Sequence, residues 1–226
     1  MRTRKEMWTE YNKRDMFDYH AGDIHRFKLI NKYLSKGKTL DIGYANKPNP
    51  YIMNVTGVDI GTVQKPFNYD AVISADVSKG LPFKDKSFNN VIAGELIEHL
   101  ENPSYFIREC WRVLKKDGVL VLTTPNPLEW ISVIRFYLEA KFKPTDHISE
   151  LSPNMIQAIL KNNGFSVKDI TGVYVTIPLL ARISYVFRHI PTRFIDLSKI
   201  TLYAAKRNDK LIPEQAQREG MEAHRC

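Results

Sequence analysis

Two short apolar segments that each end at an aspartate constrain this chain more than any other feature. TLDI runs from Thr39 to Ile42 and leads into GYANKPNP, Gly43 to Pro50; VTGVDI follows from Val55 to Ile60. Segments of this length, bounded by Gly, Pro and Asn, read as strands. Pro48 and Pro50 preclude a regular long helix between them, because proline breaks helix interiors. In a doubly wound sheet, ligands bind outside the carboxyl ends of the strands, where the strand order reverses. The first turn brings backbone close to the ligand, and the second strand delivers a carboxylate suited to ribose hydroxyls. Asp41, Gly43 and Asp59 therefore read as a candidate adenosine-binding corner. A plain strand-turn-strand remains open on these residues alone, since one glycine stands where dinucleotide-binding turns carry three.

The rest of the chain alternates in the same style. Strands read at 38–42, 55–60, 70–74, 89–94 and 118–124, and a helix at 22–35 carries Ile24, Phe27, Ile30 and Leu34 at near-helical spacing. Asn102 and Pro103 are a plausible N-cap and first helical position. Phe106, Ile107, Cys110, Val113 and Leu114 line one face of the helix that follows, and Asp117-Gly118 ends it. Alternating strands and helices imply a parallel sheet. An amphipathic helix, LEWISVIRFYLEAKF, follows Asn126, and another spans about 153–163. FSVKDITGVYV and KITLYAAKR read as two closing strands.

The segment from Ile73 to Asn126 carries linked motifs: Asp76, Leu81-Pro82-Phe83, Asp85, Ser87-Phe88, Val91, Glu98-His99-Leu100, Arg112-Val113-Leu114-Lys115, Gly118 and Thr124-Pro125-Asn126. In this order and spacing, residues 37–126 resemble the class I S-adenosylmethionine-dependent methyltransferases of the small-molecule type. A looser match continues to Phe165. The resemblance implies an α/β, Rossmann-like doubly wound sheet, mostly parallel, with an antiparallel C-terminal edge hairpin. The polar, aromatic stretch 1–21 reads as an N-terminal arm or lid, 22–207 as one methyltransferase domain, and the polar tail 208–226 is expected to be disordered. Insertions at about 127–152 and 177–195 are then the acceptor-specificity regions.

By the same resemblance, S-adenosyl-L-methionine is the cofactor. Asp59 takes the ribose and Ile60 packs on the adenine, while Asp76 and the Val77 backbone read the adenine edge. The turn Gly43-Tyr44-Ala45 passes under the amino-acid moiety, with Asp41 before it, and Glu95 contacts that moiety. Ala45 departs from the family turn, which has a second glycine there, and this puts the close backbone approach in question. Methyl transfer is a displacement at carbon, so holding acceptor, methyl and sulfur in line supplies much of the rate. A hydroxyl acceptor also needs a base. His147 and His99 are the candidates, because histidine titrates near working pH, with Tyr11 and Tyr19 as further possibilities if the arm folds back. Glu98 reads as structural, favoured at a helix start by the helix dipole.

Composition narrows the rest. The chain has 226 residues, a net charge of +8 and two cysteines, one of them the last residue. No disulfide framework is expected, and a cytoplasmic location is the default. No apolar run approaches the about 18 residues of a membrane span. No Cys-x-x-Cys occurs and the histidines are scattered, so no metal site is expected. The basic residues are spread along the chain rather than clustered beside an aromatic platform, so nucleic acid is not expected as a partner. A small-molecule or glycan/lipid acceptor is, together with weak membrane-surface contact at most and a monomeric or homodimeric state. A non-catalytic S-adenosylmethionine-binding protein of the same fold, or an RNA methyltransferase, are the alternatives.

Overall fold

Alternating side chains sort the central strands between two apolar layers. Val91 and Ala93 of one strand, and Leu120 and Leu122 of its neighbour, join one cluster; Ile92 and Val121 join the other. A strand reverses side-chain direction at each residue, so a sheet buried on both faces gives continuous apolar runs rather than alternation. Such runs are what VIA and VLVL present here.

The computed structural model describes residues 19–45, 47–61, 64–139, 147–177 and 190–211, without the side chains of residues 135, 136 and 139. Helix α1 (Ala21–Tyr33) precedes β1 (Thr39–Ile42), β2 (Val55–Asp59), β3 (Tyr69–Ser74) and β4 (Phe88–Gly94). Then come α2 (Pro103–Val113), β5 (Leu114–Pro125), α3 (Trp130–Glu139), α4 (Pro153–Asn162) and β6 (Phe165–Gly172). The short β7 (Tyr174–Val175), β8 (Ile190–Pro191) and the long β9 (Ile200–Arg207) close the chain. The main sheet has seven strands in the order β3-β2-β1-β4-β5-β9-β6. The first five are parallel, and β9 lies antiparallel between β5 and β6. This is the expected doubly wound sheet with its antiparallel edge. Strand order reverses between β1 and β4, where ligands of this architecture bind.

Helices α2 and α4 cover one face. Asn102 Oδ1 accepts from Tyr105 N at 2.9 Å and Pro103 takes the first turn, so α2 starts where the sequence predicts. Phe106, Ile107, Cys110 and Val113 are buried beneath it against Leu40, Ile42 and Leu120. Each contributes roughly 1.5–3 kcal/mol from burial. Helix α1 covers the other face through Phe27 and Ile30, packed with Ile92, Val121 and Leu202. Its N-cap is His20, which exchanges hydrogen bonds with Asp23 in a capping box. Among the described residues no helix joins β1 to β2, as Pro48 and Pro50 imply, and none joins β2 to β3.

Two boundaries depart from the sequence expectation. The helix predicted to run to Asp117-Gly118 ends at Val113, and β5 begins at Leu114, paired to Phe88 across a register shift. Asp117 takes a φ of 63°, so the predicted helix stop is an irregularity inside a strand. FSVKDITGVYV also divides. It leaves the main sheet after Gly172, and Tyr174–Val175 pairs instead with Ile190–Pro191 in a separate two-stranded sheet. Gly172 marks this branch because a Cβ there would lie 2.8 Å from the Phe194 carbonyl oxygen.

No helix among the described residues is long and apolar enough to cross a membrane. The arm at 1–18, most of the tail at 212–226 and the segments 140–146 and 178–189 lie outside the described residues, and with them Tyr11.

Candidate active site

The carboxyl ends of β1, β2 and β3 are laced together by backbone and carboxylate. Gly43 turns with a φ of 75°, where glycine has no Cβ penalty. Its N–H donates to the Val58 carbonyl at 2.9 Å. Ala45 N donates to Asp59 Oδ2 at 2.8 Å, and Ile60 N donates to Asp59 Oδ1 at 2.7 Å. Ala75 N reaches the Asp59 carbonyl at 2.8 Å, so β3 leaves the sheet tied to the same residue. Asp59 thus organises the corner.

Ala45 resolves its own departure from the family turn. The described non-glycine residues with positive φ are Asn54, Lys86, Glu95 and Asp117, so Ala45 needs no glycine. The neighbouring Tyr44 turns its ring into the core, 2% exposed, and donates its hydroxyl to the Gln64 carbonyl at 3.1 Å. The ring occupies the space over Gly57, where a Cβ would meet it at 2.4 Å. Tyr44 therefore supports the turn from beneath. At the end of β3, Asp76 caps a single turn, Val77–Lys79, accepting from Ser78 N at 3.1 Å and Ser78 Oγ at 2.6 Å.

Asp41, just before the turn, is buried at 5% exposure. It accepts the Tyr69 hydroxyl at 2.5 Å, which bolts β1 to β3 across β2. Burial pushes its carboxyl up to about 7, and the Asp59 charge adds to this, while the Tyr69 hydrogen bond and Arg26 oppose it.

A second group gathers at the ends of β4 and β5. Arg26 of α1 is buried. It lies 3.5 Å from Asp23, 3.8 Å from Glu95 and 3.5 Å from Thr123 Oγ1. Lys47, in the loop beyond the glycine turn, pairs with Asp23 at 2.5 Å. A charge relay of Lys47, Asp23, Arg26 and Glu95 thus links the glycine turn to β4. Glu95 sits at a φ of 52° with its N–H on the Thr123 carbonyl. Burial raises its carboxyl pKa, with Arg26 opposing. Sequence reasoning missed Arg26; its spacing from Asp23 on one helix face was the available signal, but it is an ordinary surface pattern.

Glu98 does not begin a helix as expected. Ile97–His99 is a single 3₁₀ turn, so the dipole argument for this carboxylate fails. Glu98 is 2% exposed. Thr124 Oγ1 donates to its Oε2 at 3.1 Å, and Oε1 has no hydrogen-bond partner among the described residues. Burial raises this carboxyl too, followed by repulsion from Glu95. The Glu98 carbonyl accepts from Ile148 N at 2.9 Å and Ser149 N at 3.1 Å. These bonds bring His147 to the same turn, with its ring centroid 5.0 Å from that of His99. Ligating atoms of Glu98, His99 and His147 all lie within 4.8 Å of one another. The two histidines chosen from sequence are therefore neighbours, and a carboxylate joins them where no metal-ligating cluster was expected.

Asp85 of the linked motifs is one anchor of a clamp centred on Arg112. The guanidinium donates to Asp85 at 2.8 Å, to the carbonyls of Leu81 and Phe83 at 2.8 and 2.7 Å, and to Glu109 at 2.7 Å. It holds the LPFKD loop closed behind β4.

Residues 40–122 match the family model described as a methyltransferase domain. A probable S-adenosylmethionine-dependent methyltransferase of Mycolicibacterium smegmatis is 32% identical over 96 residues, covering 42% of this chain and 35% of its own. The mitochondrial ubiquinone biosynthesis O-methyltransferase of Rattus norvegicus is 34% identical over 93 residues, covering 38% of this chain and 27% of its own. The chain thus spans about a third or less of the length of these relatives. Among solved structures, a SAM-dependent methyltransferase of Thermotoga maritima superposes with a TM-score of 0.65 at 14% identity, covering 90% of this chain and 98% of that one. The [4+2]-cyclase SpnF superposes at 0.57 with 16% identity, covering 82% and 80%. At such identities the likeness concerns the fold.

Proposed function

We propose, from the premise that residues 40–122 are a class I S-adenosylmethionine-dependent methyltransferase domain, that this chain moves a methyl group from S-adenosylmethionine to an oxygen or nitrogen of a small molecule or glycan/lipid intermediate. The observation that carries this is the convergence of the Gly43 turn, Asp59 and Asp76 at the carboxyl ends of β1, β2 and β3, beside the reversal of strand order. Asp59 accepts the ribose hydroxyls in charge-assisted bonds. Ile60, Asp76 and Val77 flank the adenine. The backbone of Gly43 to Ala45 underlies the amino-acid moiety, whose ammonium suits the carboxylate of Glu95.

The acceptor approaches from the β4 and β5 side. On that side Trp130, Ile134, Tyr137 and Leu138 of α3 leave apolar surface exposed, which suits an acceptor with apolar parts. The acceptor atom attacks the methyl carbon in line with the sulfur. The sulfonium bond breaks as the new bond forms, and the neutral thioether leaves. His147 and His99 are the groups at hand to manage the acceptor's proton.

A non-catalytic relative of the same fold would be favoured by a turn that excluded the cofactor, but Ala45 is not among the residues with positive φ, so its side chain imposes no backbone strain there. Calorimetry with S-adenosylmethionine and S-adenosylhomocysteine, followed by an acceptor screen, tests the proposal. Asp59→Ala is expected to weaken binding by about 1.5–3 kcal/mol, the scale of a charge-assisted hydrogen bond. Unchanged affinity in a folded Asp59→Ala variant would remove Asp59 from the ribose role.

A further inference from the structure

Glu98, His99 and His147 meet at one turn beside the carboxyl ends of β4 and β5. Glu98 is almost fully buried, yet one carboxylate oxygen has no hydrogen-bond partner among the described residues. An unsatisfied carboxylate oxygen in a low-dielectric site is costly unless a cation or donor reaches it. Its other oxygen is oriented by the Thr124 hydroxyl, as outer-shell partners orient the carboxylates of metal sites. Two backbone hydrogen bonds to the Glu98 carbonyl fix the loop that carries His147 against the turn that carries His99. The ligating atoms lie within 4.8 Å of one another. Ligands bound at about 2.0–2.2 Å stand roughly 3.3–3.5 Å apart, so small side-chain rotations close the set.

We propose that Glu98, His99 and His147 form a binding site for a divalent first-row transition-metal ion, located on the acceptor side of the cofactor corner. Two imidazoles and a carboxylate suit such ions better than magnesium, which favours all-oxygen sites. Three protein ligands leave coordination positions open, the arrangement of catalytic rather than structural metals. The cluster lies beside the cofactor turn: Leu96, two residues before Glu98, packs over Gly43, where a built Cβ would lie 3.5 Å from Leu96 Cδ1. Resting on the methyltransferase reading, the open positions take the acceptor hydroxyl. The metal lowers the pKa of that hydroxyl, whose proton leaves to solvent. The oxygen–methyl bond forms as the sulfur–methyl bond breaks, so no side chain need serve as base. His99 and His147 are then ligands.

The test is a cobalt(II) titration of the chelator-stripped full chain, followed by visible absorption and calorimetry, with S-adenosylhomocysteine titrated separately. Saturable binding of one cobalt per chain is expected. His147→Ala and His99→Ala should each weaken it by about tenfold or more, while S-adenosylhomocysteine affinity stays within about twofold. Glu98→Gln should behave likewise; because that site is buried, its melting curve is read alongside, and the His147 variant decides if it fails to fold. Replacing His224 and Cys226 of the tail by Ala should leave cobalt binding unchanged. The proposal falls if the wild type binds S-adenosylhomocysteine but no cobalt. It falls equally if folded His99→Ala and His147→Ala bind cobalt as the wild type does, or if magnesium competes on equal terms. Cobalt binding that depends on these histidines without S-adenosylhomocysteine binding would keep the metal site and sink the methyltransferase reading.

Discussion

Asp41→Asn is expected to change how stability responds to pH. Asp41 is 5% exposed and its carboxyl is raised from 3.8 to about 7, chiefly by burial. The groups facing it are Tyr69 on β3, Asp59 on β2 and Arg26 on α1. The native chain therefore holds this proton over a range in which the unfolded chain sheds it. Native protein binds more protons than unfolded protein there, so stability falls as pH rises, by about 1.4 kcal/mol per pH unit at most. The contribution is fully present below 3.8 and is lost as the pH passes about 7. Between about pH 5.5 and about pH 8 the loss from this one group is about 2 kcal/mol. Asparagine keeps the shape and an oxygen to accept the Tyr69 hydroxyl, but it does not titrate. Thermal unfolding of both proteins at the two pH values measures the effect. The variant should gain on the wild type by about 2 kcal/mol at the higher pH, or roughly 4–8 °C for a domain of this size. An equal gap at both pH values would show that Asp41 is ionised in the native state like an ordinary aspartate, and the burial argument would be wrong.

Two further outcomes follow from the loops around the site. Arg112→Ala removes the clamp on Leu81, Phe83, Asp85 and Glu109 and should destabilise by about 2–3 kcal/mol in chemical denaturation; Arg112→Lys should recover little, because an ammonium cannot reproduce the planar fork. Wild-type stability in Arg112→Ala would mean that the loop holds itself. Ala45→Gly should lower stability by about 0.5–1 kcal/mol without tightening cofactor binding, since the native φ already suits alanine; tighter binding measured by calorimetry would show that the methyl group obstructs the ligand.

Much of this protein is legible in the chain because local periodicity reports it. Apolar runs ending in Asp41 and Asp59, the Asn102-Pro103 helix start and Pro48 and Pro50 between strands each act through neighbours in sequence. They suffice for the parallel sheet and for the turn at Gly43. Strand ends are less legible. Leu114 belongs to β5 and not to α2 because it pairs with Phe88, and Gly172 ends β6 because Phe194 and Ser198 crowd it. Such pairings join residues far apart in the chain, which no period records.

The candidate site divides along the same line. Gly43, Asp59 and Asp76 could be singled out because each stands at a strand end, and the parallel strands gather all three at one edge. The bond from Tyr69 to Asp41 could not, since it joins β1 to β3 across 28 residues of chain. Arg26 comes to Glu95 from a helix on the other face of the sheet. Glu98, His99 and His147 meet only because a backbone carbonyl at Glu98 captures the amides of Ile148 and Ser149. The sequence by itself determined the layers of this fold and the corner at the carboxyl ends of β1 and β2, through short-range patterns of polarity and turn. The tertiary structure alone decided which charges are buried together and which ligating atoms share a space, because those depend on long-range packing.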